Sequence, residues 1–198
     1  MKRLLVRAAA AAALIGLLVA CTEHLAPARL QFTMMPTGNL GYEVSQQGEI
    51  TITARNLVFR NAPGEYGLSL QSYRIEFFDE NDEPVPAGDN VQVGTLTVFV
   101  PPGIRCDEPD PQFGCTMMSE GARFAPSPEV VTEAGYQLLP IGIAEAHLMR
   151  WFSETEDGGF QREPQPVGWH ADITFTGVTT AGSAYTSPVY RVGIAPPN

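Results

Sequence analysis

The sequence predicts an all-β fold, an antiparallel β-sandwich with one short helix. Three observations carry that prediction. Apolar and polar residues alternate with a period of two in six separate stretches, as half-buried strands require. Clusters of Gly, Pro, Asn and Asp stand between those stretches, in a 198-residue chain that holds 19 Gly and 17 Pro. Only one segment beyond residue 21 has helical spacing.

The elements follow in chain order. Leu30, Phe32 and Met34 alternate with Gln31 and Thr33, and Ile50 and Ile52 alternate with Thr51 and Thr53, giving two early strands. Asn61-Ala62-Pro63-Gly64 then supplies a reversal. Tyr73, Ile75 and Phe77 alternate with Arg74 and Glu76 before a second reversal from Asp79 to Pro86, followed by Gly88-Asp89-Asn90. Leu96, Val98 and Val100 form the next apolar face, and Pro101-Pro102-Gly103 opens a long irregular segment that reads as a loop over 101–135. Ala144, His147, Leu148, Trp151 and Phe152 fall at i, i+3, i+4, i+7 and i+8, so a short amphipathic helix is expected there. Trp169, Ala171, Ile173 and Phe175 face one way, and His170, Asp172, Thr174 and Thr176 the other. With Tyr190, Val192 and Ile194 beyond the turn at Thr180-Ala181-Gly182-Ser183, residues 169–177 and 184–194 make a closing hairpin. These elements fit one domain over 30–198, since a sandwich of the immunoglobulin kind needs about 100 residues.

The first twenty-one residues are of a different kind. Lys2, Arg3 and Arg7 precede an apolar run from Ala8 to Ala20, thirteen residues long, which is short for a spanning helix of about 20 and suits the apolar core of an export signal. The run closes on Leu18-Val19-Ala20-Cys21, which resembles the lipobox of bacterial lipoprotein precursors at every position. That resemblance implies a helical signal peptide over 1–20 that is cleaved before Cys21, diacylglycerol on the Cys21 sulfur, and an acylated new amino terminus. It further implies a bacterial cell-envelope location, with the membrane as a partner held through lipid. Thr22 stands where an aspartate would retain the protein at the inner membrane, so the outer membrane is expected, facing periplasm or surface. Residues 21–29 become a lipidated tether. Its part from Thr22 to Arg29 reaches at most about 26 Å when fully extended.

The pattern Ile173-Thr174-Phe175-Thr176-Gly177, with Ala181-Gly182 and a final strand, is similar to the closing hairpin of small Ig-like and fibronectin III-like envelope lipoproteins. The resemblance implies an Ig-like sandwich, though the sequence departs from antibody domains in having no pair of cysteines spaced to join two sheets. With Cys21 assigned to lipid, Cys106 and Cys115 remain as an even pair in a disulfide-permissive compartment. The acidic, proline-rich residues between them read as a stapled loop.

Composition excludes some functions. Beyond Cys21 the chain has nine basic residues against 22 acidic ones and no lysine, for a net charge of -13. Nucleic acid is therefore not an expected partner, because the field that phosphate binding needs is missing. Neither is an anionic lipid surface held by charge.

Few side-chain patterns suggest chemistry. Asp79, Asp82 and Glu83 crowd one turn and are weak Ca²⁺ candidates, set against a solvated edge turn as the simpler reading. His170 and Asp172 share a strand face, and His147 lies near Met149; the pairs Met34-Met35 and Met117-Met118 are softer ligands of the kind Cu(I) takes, but more simply core filler. Trp169, Tyr185 and Tyr190 offer an aromatic platform for sugar or peptide, against core packing. The chain has no Gly-x-Ser-x-Gly elbow, His-Glu-x-x-His zinc helix or Walker loop. The expected function is thus a non-catalytic binding or structural module without cofactor, meeting an envelope protein or cell-wall partner through the loop at 101–135. A carbohydrate- or Ca²⁺-binding module is the alternative, and a hydrolase the third.

Overall fold

The computed structural model describes residues 29–86, 90–108, 112, 115, 118–150, 152–154, 160–162 and 168–197, with backbone alone at 152–154 and 160–162. The signal peptide, Cys21 and most of the tether lie outside the described residues, as do Gly88, Asp89, Met117 and Trp151.

The protein is built from antiparallel sheets. The strands are β1 (Leu30–Met35), β2 (Tyr42–Val44), β3 (Ile50–Ile52), β4 (Asn56–Asn61), β5 (Leu68–Phe78), β6 (Val91–Val100), β7 (Ile104–Cys106), β8 (Ala122–Phe124) and β9 (Val130–Val131), followed by helix α1 (Ile141–Met149). After it come β10 (Phe152–Glu154), β11 (Phe160–Arg162), β12 (His170–Thr179), β13 (Ala184–Thr186) and β14 (Tyr190–Gly193). One sheet has the order β1-β4-β9. The other runs β13-β12-β5-β6, with β14 beside β13 on the same edge of β12. β2 pairs with β3, β7 with β8, and β10 with β11.

The two larger sheets meet through aromatic side chains that the period-two pattern turns inward. The Phe175 ring of β12 lies 4.8 Å from Phe32 of β1 and 5.0 Å from Phe59 of β4, the latter edge to face. Leu57, Leu68, Leu70, Ile75, Phe77, Leu96, Ile173 and Ala171 are all buried around them. Such a core is the main source of stability, since each fully buried large apolar side chain contributes about 1.5–3 kcal/mol.

The alternations at 30–34, 73–77, 96–100 and 169–175 all turn their apolar faces inward. Gly94 shows how tightly β5 and β6 are matched. It stands opposite Tyr73, whose ring occupies the place of any side chain there, because a Cβ on Gly94 would lie 2.2 Å from it. Three expectations need correction. The segment 101–135 is no plain loop: it contains the β7-β8 hairpin and strand β9, which joins the first sheet beside β4. Helix α1 ends at Met149, so Phe152 belongs to a strand, and the buried helical face is Ile143, Ala144 and His147. The closing strand is broken in two at Ser187-Pro188, because proline has no N–H to donate to the ladder. There the Phe175 N–H donates to the Ser187 hydroxyl at 2.9 Å, and the Ser187 N–H returns a bond to the Phe175 carbonyl.

Two ends of the long strands matter for function. At the Val100 end of β6, Asn61 is a bracket, fully buried, with its amide nitrogen donating to the Tyr66 carbonyl at 3.0 Å and the Pro101 carbonyl at 2.8 Å. Arg29 is here too, its carbonyl accepting the Ala62 N–H at 3.0 Å. At the Val91 end lie the acidic turn 79–83, α1 and the β2-β3 hairpin.

Candidate functional site

The most distinctive surface is a groove between two strand edges at the Val91 end. Strand β6 reads Val-Gln-Val-Gly-Thr-Leu-Thr-Val-Phe-Val, ten residues without a charge or a proline. Its period of two sends Leu96 and Val100 into the core and leaves Val93 68% and Phe99 52% exposed on the outer face. Among the described residues it pairs with β5 alone. Folded proteins usually blunt such an edge with charge, proline or cover, so an apolar uncharged one is a template for another strand.

Strand β3, which among the described residues pairs only with β2, forms the facing wall through Ile50, Thr51 and Ile52. Val91, Gln92 and Val93 line the β6 side, and Gln137, Leu139, Pro140 and Ile141 the remainder. The space is about 650 Å³, within the usual size of ligand clefts. None of these ten residues is charged. Gln92 donates its amide N–H to the Gln137 carbonyl at 3.4 Å, while its side-chain oxygen is buried with no hydrogen-bond partner. Leaving a buried oxygen unmatched costs stability.

Beside the groove, the acidic turn is tied down by its own carboxylates. Asp79 accepts the N–H groups of Asn81 at 2.8 Å and Glu83 at 3.0 Å, and these bonds hold its carboxyl below the usual range. Glu80 accepts from its own backbone N–H, from the Trp169 indole and from Arg150, and its carboxyl is lowered likewise. Asp82, with φ of 61°, meets Arg191 at 3.1 Å. Arg191 also grips Asp172 with two nitrogens, at 3.0 and 3.2 Å, and this bidentate bond raises the guanidinium above its ordinary value. Of the Ca²⁺ candidates, the Asp79 carboxylate serves the turn and that of Asp82 its attachment to β14, while Glu83 joins the turn through its backbone, its carbonyl accepting the Asp79 N–H at 2.9 Å. Among the described residues no three His, Cys, Asp or Glu side chains gather as a metal-holding set.

His170 does meet two carboxylates, as hydrolytic chemistry would ask. Its Nε2 lies 3.4 Å from Asp82 and 4.0 Å from Asp172. The imidazole is nevertheless only 6% exposed, stacked on Phe78 at 5.3 Å, with Nδ1 donating to the Gly168 carbonyl at 2.9 Å. Both acids are engaged by Arg191. The arrangement is a clasp between β12, β14 and the turn.

His147, on the inner face of α1, is buried, with Nδ1 2.9 Å from the Tyr42 hydroxyl and its ring 5.1 Å from Trp169. Burial pushes its imidazole down to about 4 and raises the Tyr42 phenol. Of the proposed aromatic platform, Trp169 and Tyr185 are buried and Tyr190 half-buried, its hydroxyl donating to the Leu30 carbonyl. Burial lifts Tyr185 to about 12. Met34 is core; Met35 and Met149 are exposed.

At the other end, Cys106 and Cys115 form the expected disulfide, across a Cα–Cα distance of 5.6 Å. Asp107 next to it accepts from Arg105 at 2.9 Å and Arg123 at 2.6 Å, clamping β7 to β8.

Sequence reasoning missed the groove. The signal was the absence of charge from residue 91 to 100, but its second wall comes from distant residues that no local pattern joins to it. No family model matches the chain, and no curated protein matches it either.

Proposed function

We infer that this chain is a lipid-anchored protein of the bacterial cell envelope, tethered through Cys21, whose Ig-like sandwich is a non-catalytic binding module. Its binding surface is the groove between β3 and β6, and its ligand is an extended, uncharged segment of an envelope protein partner that adds to the edge of β6 as a strand. One observation carries this reading: β6, ten uncharged residues long and paired among the described residues with β5 alone, lines an uncharged groove through Val91, Gln92 and Val93, in a domain of net charge -13.

The chemistry follows from that surface. Main-chain hydrogen bonds along β6 supply affinity, and alternate side chains falling against Ile50, Leu139 and Ile141 supply selectivity. A charged residue on the inserted segment would lose its water without gaining a partner, so the groove selects against it.

The test uses a blocked six-residue peptide of alternating Thr and Val, and the same peptide with Asp or Lys replacing each Thr. Titration calorimetry should detect the uncharged peptide alone, and hydrogen exchange should slow at amides of β6. Val93→Asp should abolish binding. Gln92→Ala removes one acceptor, worth about 0.5–1.5 kcal/mol, and so weakens binding roughly two- to tenfold. Equal binding of all three peptides, or binding indifferent to Val93→Asp, would count against the groove.

A further inference from the structure

We propose that the Val100 end of the domain rests on the lipid surface to which the chain is tethered, with Phe124, Tyr66 and Met118 entering the headgroup layer. The proposal rests on the lipid-anchor reading of Cys21 and adds an orientation to it.

The tether fixes where to look. The described chain begins at Arg29, whose carbonyl is bonded to the Ala62 N–H in the same turn that underlies the stapled hairpin. Seven residues, 22–28, lie between that point and Cys21. The span from Cys21 to Arg29, about 26 Å when extended, keeps this end near the bilayer.

What is exposed there suits an interface. Met118 is 96% exposed, Phe124 62% and Tyr66 42%. Tyr66 and Met118 stand on loops and Phe124 ends β8, all three being large apolar or amphipathic side chains. Phe124 leans on the turn itself, since a Cβ placed on Gly64 would touch its ring at 3.4 Å. Phe99 lies against the neighbouring Gly67, which extends the apolar surface up the sheet. Tyrosine, as at position 66, concentrates at the membrane–water boundary.

The turn and hairpin that carry these side chains are also held in shape. Asn61 brackets Tyr66 and Pro101, and Gly103 bonds both ways to the turn, donating to the Glu65 carbonyl at 2.8 Å and accepting the Gly64 N–H at 2.7 Å. The disulfide and the Asp107 clamp fix the hairpin. Glu65, Asp107, Glu108, Asp110 and Glu120 outnumber Arg29, Arg105 and Arg123 in these segments, so the attraction is apolar and acts against net charge. Docked this way, the Val91 end of β6 stands about 30 Å farther from the lipid, which presents the groove away from the membrane.

The test uses the full chain, purified from membranes and reconstituted into vesicles of phosphatidylethanolamine and phosphatidylglycerol. A single thiol is introduced as Phe124→Cys, or as Tyr66→Cys in a second protein, and as Ile141→Cys for the groove end. Each is labelled with a polarity-sensitive fluorophore, and lipids carrying a spin label in the acyl chain serve as quencher. Loss of fluorescence at 124 and 66 with none at 141 is expected. Equal responses at all three, or quenching at 141 alone, would overturn the docking. The mass of the N-terminal peptide, read on the same sample, separates the two ideas. Acylated Cys21 with unquenched probes at 124 and 66 refutes the docking only, whereas unmodified Cys21 refutes the anchor and the docking with it.

Discussion

Replacing His147 by glutamine should change how the stability of the domain depends on pH. The imidazole is buried against Tyr42 and Trp169, and burial lowers it from 6.5 to about 4; the charge of Glu80 opposes that shift only in part. In the folded state His147 is therefore neutral at pH values where the unfolded chain already carries a proton. Between pH 6.5 and about 4 the unfolded state binds more protons, so stability falls as pH falls. A shift of that size corresponds to about 3 kcal/mol lost by pH 4 relative to pH 7. Carboxylates such as Asp79 and Glu80 add their own acid sensitivity, because their lowered values also favour the unfolded state as protons bind. The His147 contribution is isolated by difference. Urea unfolding midpoints of the native protein and of His147→Gln, taken at pH 7, 6, 5 and 4, should show the native protein's advantage shrinking by about 3 kcal/mol toward pH 4. A difference that stays constant across the series would refute the assignment of a buried neutral imidazole.

Other predictions follow from the same contacts. Phe175→Ala empties the junction of the two sheets and should cost about 3–5 kcal/mol in the same assay. Gly103→Ala would place a Cβ 1.9 Å from the Ala62 carbonyl, and the overpacking should cost at least about 1 kcal/mol. Its proteolysis should begin at the β7-β8 hairpin. Removing the staple by Cys106→Ser with Cys115→Ser should lower stability by about 2.6 kcal/mol on the chain-entropy account; an unchanged midpoint would mean that this loop is already ordered without it.

The period-two strands were legible because each buries one face, and the inward sets at Tyr73, Ile75 and Phe77 and at Trp169, Ala171, Ile173 and Phe175 are as the alternation indicates. Strand β4 was not legible. Leu57, Val58 and Phe59 are buried in succession, since β4 is covered on both faces, so no alternation marks it. Asn61 reads as a turn residue and is instead a buried bracket, because the carbonyls it serves lie up to 40 residues along the chain. The clasp around Asp82, Asp172 and Arg191 spans residues 109 apart in sequence. Its members were visible singly, as an acidic turn and a His-x-Asp pair, but their common partner was not. The groove escaped for the same reason, its walls being two strand edges about 40 residues apart in sequence.

The proposed lipid anchor at Cys21 would set the compartment, the disulfide-permissive setting and the orientation of the groove. Mass spectrometry of the N-terminal peptide of the membrane-bound protein tests it most directly. The account predicts a chain that begins at Cys21, followed by Thr22, with diacylglycerol on sulfur and an acyl group on nitrogen. A chain beginning elsewhere, or at a Cys21 that carries no lipid, would contradict it.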